Sequence, residues 1–167
     1  MLPLRQETVK QLFDYIPETG EFIRLKTTSH NAKKGQITKG SKDHYGRYVL
    51  SINNKQYKAH RIAWVYSYGE IPEGLQIDHI NGDHSDNRLC NLRICTGAEN
   101  MQNMKKKQNK YGLTGVEKHR RKWQAYIWKD RKKTHLGMFS TKEDAYKAYL
   151  EAKKIFHTFN PIPRYEL

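Results

Sequence analysis

Gln76-Ile77-Asp78-His79-Ile80-Asn81-Gly82-Asp83-His84-Ser85-Asp86-Asn87-Arg88-Leu89-Cys90-Asn91-Leu92-Arg93-Ile94-Cys95-Thr96-Gly97-Ala98-Glu99-Asn100 is the stretch whose reading decides the fold. Leu75 to Ile80 reads as a short strand. Asn81 to Arg88 is dense in turn residues. Asn91 to Cys95 reads as a second strand, with Leu92 and Ile94 on one face and Arg93 on the other. Thr96-Gly97-Ala98-Glu99 has capping-box spacing, which starts a helix running to about Met104. The predicted unit is strand, loop, strand, helix.

This segment is acidic and amide-rich inside a basic chain. Of 167 residues, 31 are Lys or Arg and 17 are Asp or Glu, a formal net charge of +14. Such an excess suits nucleic acid or an anionic membrane surface, and an acidic island within it suits a hard divalent cation. The bland alternative is a polar surface loop. No apolar run approaches the ~18 residues of a membrane span, and Met1 to Glu7 holds no apolar signal core. A soluble, cytoplasmic protein is expected. Cys90 and Cys95 make no disulfide framework, and His84 does not complete a zinc set with them, so they read as unlinked thiols.

Upstream, Thr8 to Tyr15 reads as a helix stopped by Pro17, and Tyr15 to Ile23 as a hairpin around Pro17 and Gly20. Lys26 to Lys42 is basic and Gly-punctuated: a loop or edge strand that follows a phosphate backbone, or a solvated one. Tyr45 to Ile52 alternates as a strand does, Asn53-Asn54 tolerates positive φ, and Gln56 to Ala59 resumes the pattern, giving a hairpin. His60 to Gly69 is a helix with Trp64 and Tyr68 spaced to pack together. His60-Arg61 is either a functional pair or a structural one.

Hydrolysis of a phosphodiester needs a base for the nucleophile and a charge on the phosphate side. Asp78-His79 and the amides that follow supply residue types suited to both. From about His60 to Asn103 the chain resembles the HNH (His-Asn-His, ββα-metal) endonuclease family, on Asp78-His79, Asn87-Arg88, Asn91-Leu92-Arg93 and Glu99-Asn100. His79 to Asn91 is 12 residues and Asn91 to Asn100 is 9, in keeping with that pattern. The resemblance implies that His79 is the general base, Asp78 and Asn100 are metal ligands, and Asn91 braces the loop around His79. Asn in place of the family's usual last His resembles the phage and intron homing variants. It implies Mg²⁺ or Mn²⁺, and products with 5′-phosphate and 3′-hydroxyl ends. Asn103 is the rival second ligand; Asp83, His84 and Asp86 are expected to form the loop, and Glu99 the cap.

Residues 105–110 read as a basic linker, with a solvated helix end as the alternative. Beyond it, Thr114 to His119, Lys122 to Trp128 and Lys132 to Phe139 read as strands, with turns at Arg120-Arg121 and Asp130-Arg131. A helix capped by Thr141 follows to about Phe156. Gly115-Val116, Lys122-Trp123, Ala125-Tyr126-Ile127, Leu136-Gly137-Met138-Phe139 and Glu143-Asp144-Ala145 resemble the AP2 DNA-binding domain, over about Tyr111 to His157. In that family the sheet lies in the major groove. The resemblance implies DNA contacts from Glu117, His119, Tyr126, Trp128, Lys133 and His135, with Lys118 and Arg120 beside them, and a core role for Trp123.

The expected fold class is α+β: an HNH unit with N-terminal β-hairpins over residues 1–104 (motif core 60–103), the linker 105–110, an AP2-like domain over 111–157, and a tail over 158–167. The expected function is metal-dependent cleavage of double-stranded DNA by a homing-type endonuclease, with no membrane and no protein partner implied. Two alternatives stand beside it: a DNA-binding regulator on an inactive HNH scaffold, and a restriction- or defence-type HNH nuclease.

Overall fold

The computed structural model describes residues 4–103, 109–129, 132–157 and 159. The chain divides into two compact units, Met1–Gly97 and Ala98–Leu167, in an α+β fold.

In the first unit, α1 (Gln6–Leu12) runs straight into β1 (Phe13–Ile16), which pairs antiparallel with β2 (Glu21–Arg24). The helix predicted over Thr8 to Tyr15 therefore ends early. Val9, Leu12 and Phe13 fit a helical stripe, but Phe13 and Tyr15 also alternate into the core. Pairing of Tyr15 with Phe22, their rings 5.1 Å apart, overrides the local pattern. The basic segment after β2 is mostly loop. It yields β3 (Ile37–Thr38), which adds to β2, and β4 (Ser41–Lys42), which adds to β5 (Tyr48–Ile52). β5 and β6 (Lys55–Lys58) form the expected hairpin, with Asn53 and Asn54 at φ 49° and 61°, as a two-residue turn requires. α2 (Ala59–Tyr68) follows and ends at Gly69; its Trp64 and Tyr68 rings lie 4.6 Å apart. Ile62, Ala63 and Val65 join Phe13, Phe22, Leu50 and Ile77 in one core.

β7 (Leu75–His79) and β8 (Leu92–Thr96) form a two-stranded ribbon. The loop between them is seated on the β1–β2 hairpin. The Leu89 amide donates to the Pro17 carbonyl at 3.0 Å. Gly20 sits at φ 74°, where a Cβ would come 2.6 Å from the Asn87 carbonyl carbon and 2.7 Å from the Arg88 nitrogen. Both the conformation and the space exclude a side chain. Gly20→Ala should destabilise the first unit by about 2–3 kcal/mol. Chemical denaturation measures this, and a wild-type midpoint would show that the hairpin tip is not held against that loop.

In the second unit, α3 (Gly97–Asn103) begins at the boundary residue, close to the predicted start. β9 (Val116–His119), β10 (Lys122–Lys129) and β11 (Lys132–Phe139) make an antiparallel sheet with β10 in the middle. α4 (Lys142–Phe156) packs on one face of it, and Val116, Ala125, Ile127, Ala145, Tyr149 and Ala152 form the core. Thr141 caps α4, its Oγ1 accepting from the Asp144 amide at 3.1 Å. The predicted turn at Asp130-Arg131, most of the linker 105–110, and the tail 158–167 apart from Phe159 lie outside the described residues.

Candidate active site

Strand periodicity sets the site. On the ribbon His79 faces Leu92 and Ile77 faces Ile94, whereas Asp78 faces Arg93. Successive side chains point to opposite faces, so His79 shares the apolar face and Asp78 the polar one. Both are buried, at 3 % and 6 % exposure. The Asp78 Oδ2 accepts from Arg93 Nε at 3.0 Å and Nη2 at 2.9 Å.

Asn91 is bonded into the loop. Its Nδ2 donates to the Asn81 Oδ1 at 3.0 Å and to the Asp86 carbonyl at 2.8 Å, and its Oδ1 accepts from the Asn81 amide at 2.9 Å. Its carbonyl accepts from the Ile80 amide at 2.8 Å. These bonds fix the backbone immediately after His79. Asp83 accepts from Ser85, and Asp86 takes a two-nitrogen grip from Arg88, which holds its carboxyl down at about 2. Both acids are thus occupied in shaping the loop.

The imidazole of His79 is held by Asn87, with Nε2 and Oδ1 3.1 Å apart. The His60 ring meets it edge-on at 4.8 Å, and that of the exposed His84 at 5.4 Å. Burial lowers the pKa of His79, against weaker opposing effects from the Asn87 bond and nearby acids. Burial also drives His60 well below the ordinary histidine value, with His79 and the cations Lys58, Arg61 and Arg47 adding to it. A histidine that stays neutral when folded binds fewer protons than its unfolded form below pH ~6.5. His60 therefore contributes stability at neutral pH that is lost progressively as pH falls below ~6.5 towards its folded value. The thermal midpoint should drop between pH 7 and 5, and His60→Phe should flatten that drop. An unchanged slope in the variant would remove His60 from the account.

Asn100 lies in the first turn of α3, within the second unit. Asn103 is buried on the same helix. Among the described residues no group of three or more His, Cys, Asp or Glu is placed to hold a metal. The buried Asp78 carboxylate is a hard donor, and Mg²⁺ takes few protein ligands and keeps several waters, so its chemistry fits such an ion.

In the second unit the register sorts the expected DNA-contact residues. Glu117 faces Gln124 and His119 faces Lys122 across β9–β10; Tyr126 faces His135 and Trp128 faces Lys133 across β10–β11. Glu117, His119, Tyr126, Trp128, Lys133 and His135 thus share the sheet face away from α4. Lys133 Nζ lies 3.8 Å from the Tyr126 ring centroid and 3.6 Å from Glu117. Burial, then a hydrogen bond to Glu117, pushes the Tyr126 phenol up to about 12. Lys118 is not brought to this face. It lies opposite Trp123, with Nζ 5.9 Å from that ring, on the side of α4. Arg120 occupies the β9–β10 turn at φ 55°.

Residues 57–102 match the family model described as HNH endonuclease. The chain carries an HNH-family domain. It is 40 % identical over 77 residues to Protein 3.8 of Escherichia phage T7, covering 42 % of this chain and 64 % of that protein. It is 31 % identical over 86 residues to the SPbeta prophage-derived protein YosQ of Bacillus subtilis (strain 168), whose name includes the words HNH homing endonuclease; the match covers 52 % of this chain and 49 % of YosQ. The chain thus spans less than two thirds of the length of these curated relatives. Among solved structures, one titled for DNA binding and cleavage by the HNH homing endonuclease I-HmuI overlaps 62 % of this chain and 57 % of its own at a TM-score of 0.46 and 23 % identity.

The HNH match takes in Asp78, His79, Asn91 and Asn100, and ends before β9. Asn87 is the residue whose role the sequence did not announce. Its place in the motif order was visible, but its bond to a ring eight positions earlier depends on how the loop folds back. His60 was left open between two roles; it proves to be a buried neighbour of His79.

Proposed function

We propose that this chain is a metal-dependent DNA endonuclease of the homing type, with His79 as general base and Asp78 and Asn100 as metal ligands. The observation that carries the reading is His79 itself: a buried imidazole, kept neutral by burial, next in the chain to a buried carboxylate and inside the segment that matches the HNH family. Neutral His79 takes the proton from the attacking water. Asn91 holds the turn that follows it. A bound Mg²⁺ or Mn²⁺ supplies charge stabilisation at the phosphate and the leaving oxygen.

The second unit we read as an AP2-like module that grips double-stranded DNA. Its aromatic and basic sheet face supports that reading, with Tyr126, Trp128, Lys133 and His135 exposed or half-exposed together and Arg120 at the adjoining turn. No described helix is long and apolar enough to cross a membrane. We place the enzyme in the cytoplasm, acting on DNA there.

Purified protein should nick supercoiled plasmid with Mg²⁺ or Mn²⁺ and stop when EDTA is added. One chain offers one such motif, so a monomer should give open circles before linear DNA, whereas a dimer should cut both strands together. DNA binding without cleavage under any divalent ion would favour the regulator on an inactive scaffold. Mapped ends sharing a short site would favour a restriction-type enzyme.

A further inference from the structure

We propose that Asn87 is a positioning residue that sets the tautomer and ring orientation of His79, and that the β1–β2 hairpin exists in part to hold Asn87 there. The proposal rests on the reading of His79 as the base. The hairpin, Phe13 to Arg24, lies outside the HNH match, so the base is held by structure the motif does not contain.

Three contacts fix Asn87 from below. The Tyr15 hydroxyl donates to the Asn87 carbonyl at 2.7 Å in a buried bond. The next turn is tied by the Leu89 amide to Pro17, and Gly20 lets the hairpin backbone come against the Asn87–Arg88 peptide. Asn87 is only 2 % exposed, so its amide has little access to water. Its side-chain oxygen is directed at His79 Nε2.

An amide oxygen only accepts, so this pairing places the imidazole proton on Nε2. In the neutral ring Nδ1 is then the basic nitrogen, the atom that takes the proton from water. A ring of the other tautomer would present an N–H to that water and would be no base. Asn91 has a different task, because its bonds run to Asn81 and Asp86 and shape the backbone. The two amides divide the work: Asn91 places the loop, and Asn87 selects the nitrogen.

The test pairs Asn87→Leu, similar in volume but without an acceptor, with Asn87→Asp, which keeps one. Plasmid nicking with Mg²⁺ should fall about 100-fold in kcat for the leucine variant, at unchanged KM, and by less than about 10-fold for the aspartate variant. Tyr15→Phe should give a smaller loss. ¹⁵N spectra of the full chain labelled at histidine report the ring directly, without any turnover. Wild type should show His79 protonated on Nε2, and Asn87→Leu should lose that state while its melting curve stays cooperative. A wild-type ring protonated on Nδ1 overturns the proposal, even if the leucine variant fails to fold. So does wild-type cleavage by Asn87→Leu when His79→Ala is dead. Full cleavage by His79→Ala would instead overturn the nuclease reading beneath it.

Discussion

Replacing His79 with alanine should lower DNA cleavage by at least about 1,000-fold while leaving DNA binding unchanged. Among the described residues of the proposed site, His79 is the imidazole that Asn87 holds in place, and its two histidine neighbours are situated differently. His60 is buried and held neutral behind it, and His84 is exposed in the loop. Truncation also strands the buried Asn87 oxygen, at a cost of about 1–3 kcal/mol. A melting curve must therefore accompany the assay, and His79→Gln serves as the polar companion. Nicking and gel retardation on one DNA provide the comparison. The pH profile of the wild type has a definite sign. Burial lowers the pKa of His79, so the neutral base persists below the ordinary histidine range, and cleavage falls only as pH drops through that lowered value. If His79→Ala nicks as fast as wild type, the base lies elsewhere.

How far the sequence could be read follows the range of the forces involved. Strand, loop, strand and helix from Leu75 onward were legible because period and turn chemistry are local, and the structure sets β7, β8 and α3 within a residue or two of expectation. The Asn53-Asn54 hairpin was legible for the same reason. Phe13 to Tyr15 was misread as helix because its partner strand begins six residues after Tyr15, and pairing across that turn outweighs a weak helical stripe. On the second sheet the register slips between Ala125 and Tyr126: Gln124 faces Met138, but Tyr126 faces His135. The extra residue, Leu136, packs towards the core, and the slip reverses which positions of β11 face outward. Lys118 was grouped with its neighbours by proximity in the chain, whereas alternation turns it to the other face. At the site, the Asp78-His79 pair was plain from the motif. The contacts that hold it, from Tyr15, Pro17, Gly20 and Asn87, span sequence separations that no local pattern encodes.

Asp78 tests whether the polar face of the ribbon carries a metal or only an ion pair. As a metal ligand, Asp78→Asn should cut Mg²⁺-supported nicking by about 100-fold or more, and raise the Mg²⁺ concentration needed for half-maximal rate. The substitution keeps shape and an acceptor oxygen but removes the charge that holds Arg93. Arg93 is partly exposed, its side chain retaining 24 % accessibility, so losing the charge of this one carboxylate should cost no more than about 1–2 kcal/mol. That loss is too small to unfold a typical domain. Arg93→Gln separates the two roles, because it breaks the same pair and leaves the carboxylate in place. If Asp78 binds metal, Arg93→Gln should retain much of the cleavage at an unchanged Mg²⁺ requirement, and Asp78→Asn should not. Equal losses in the two variants, with the Mg²⁺ titration unmoved in both, would reduce Asp78 to the partner of Arg93 and leave the metal to be held by other residues.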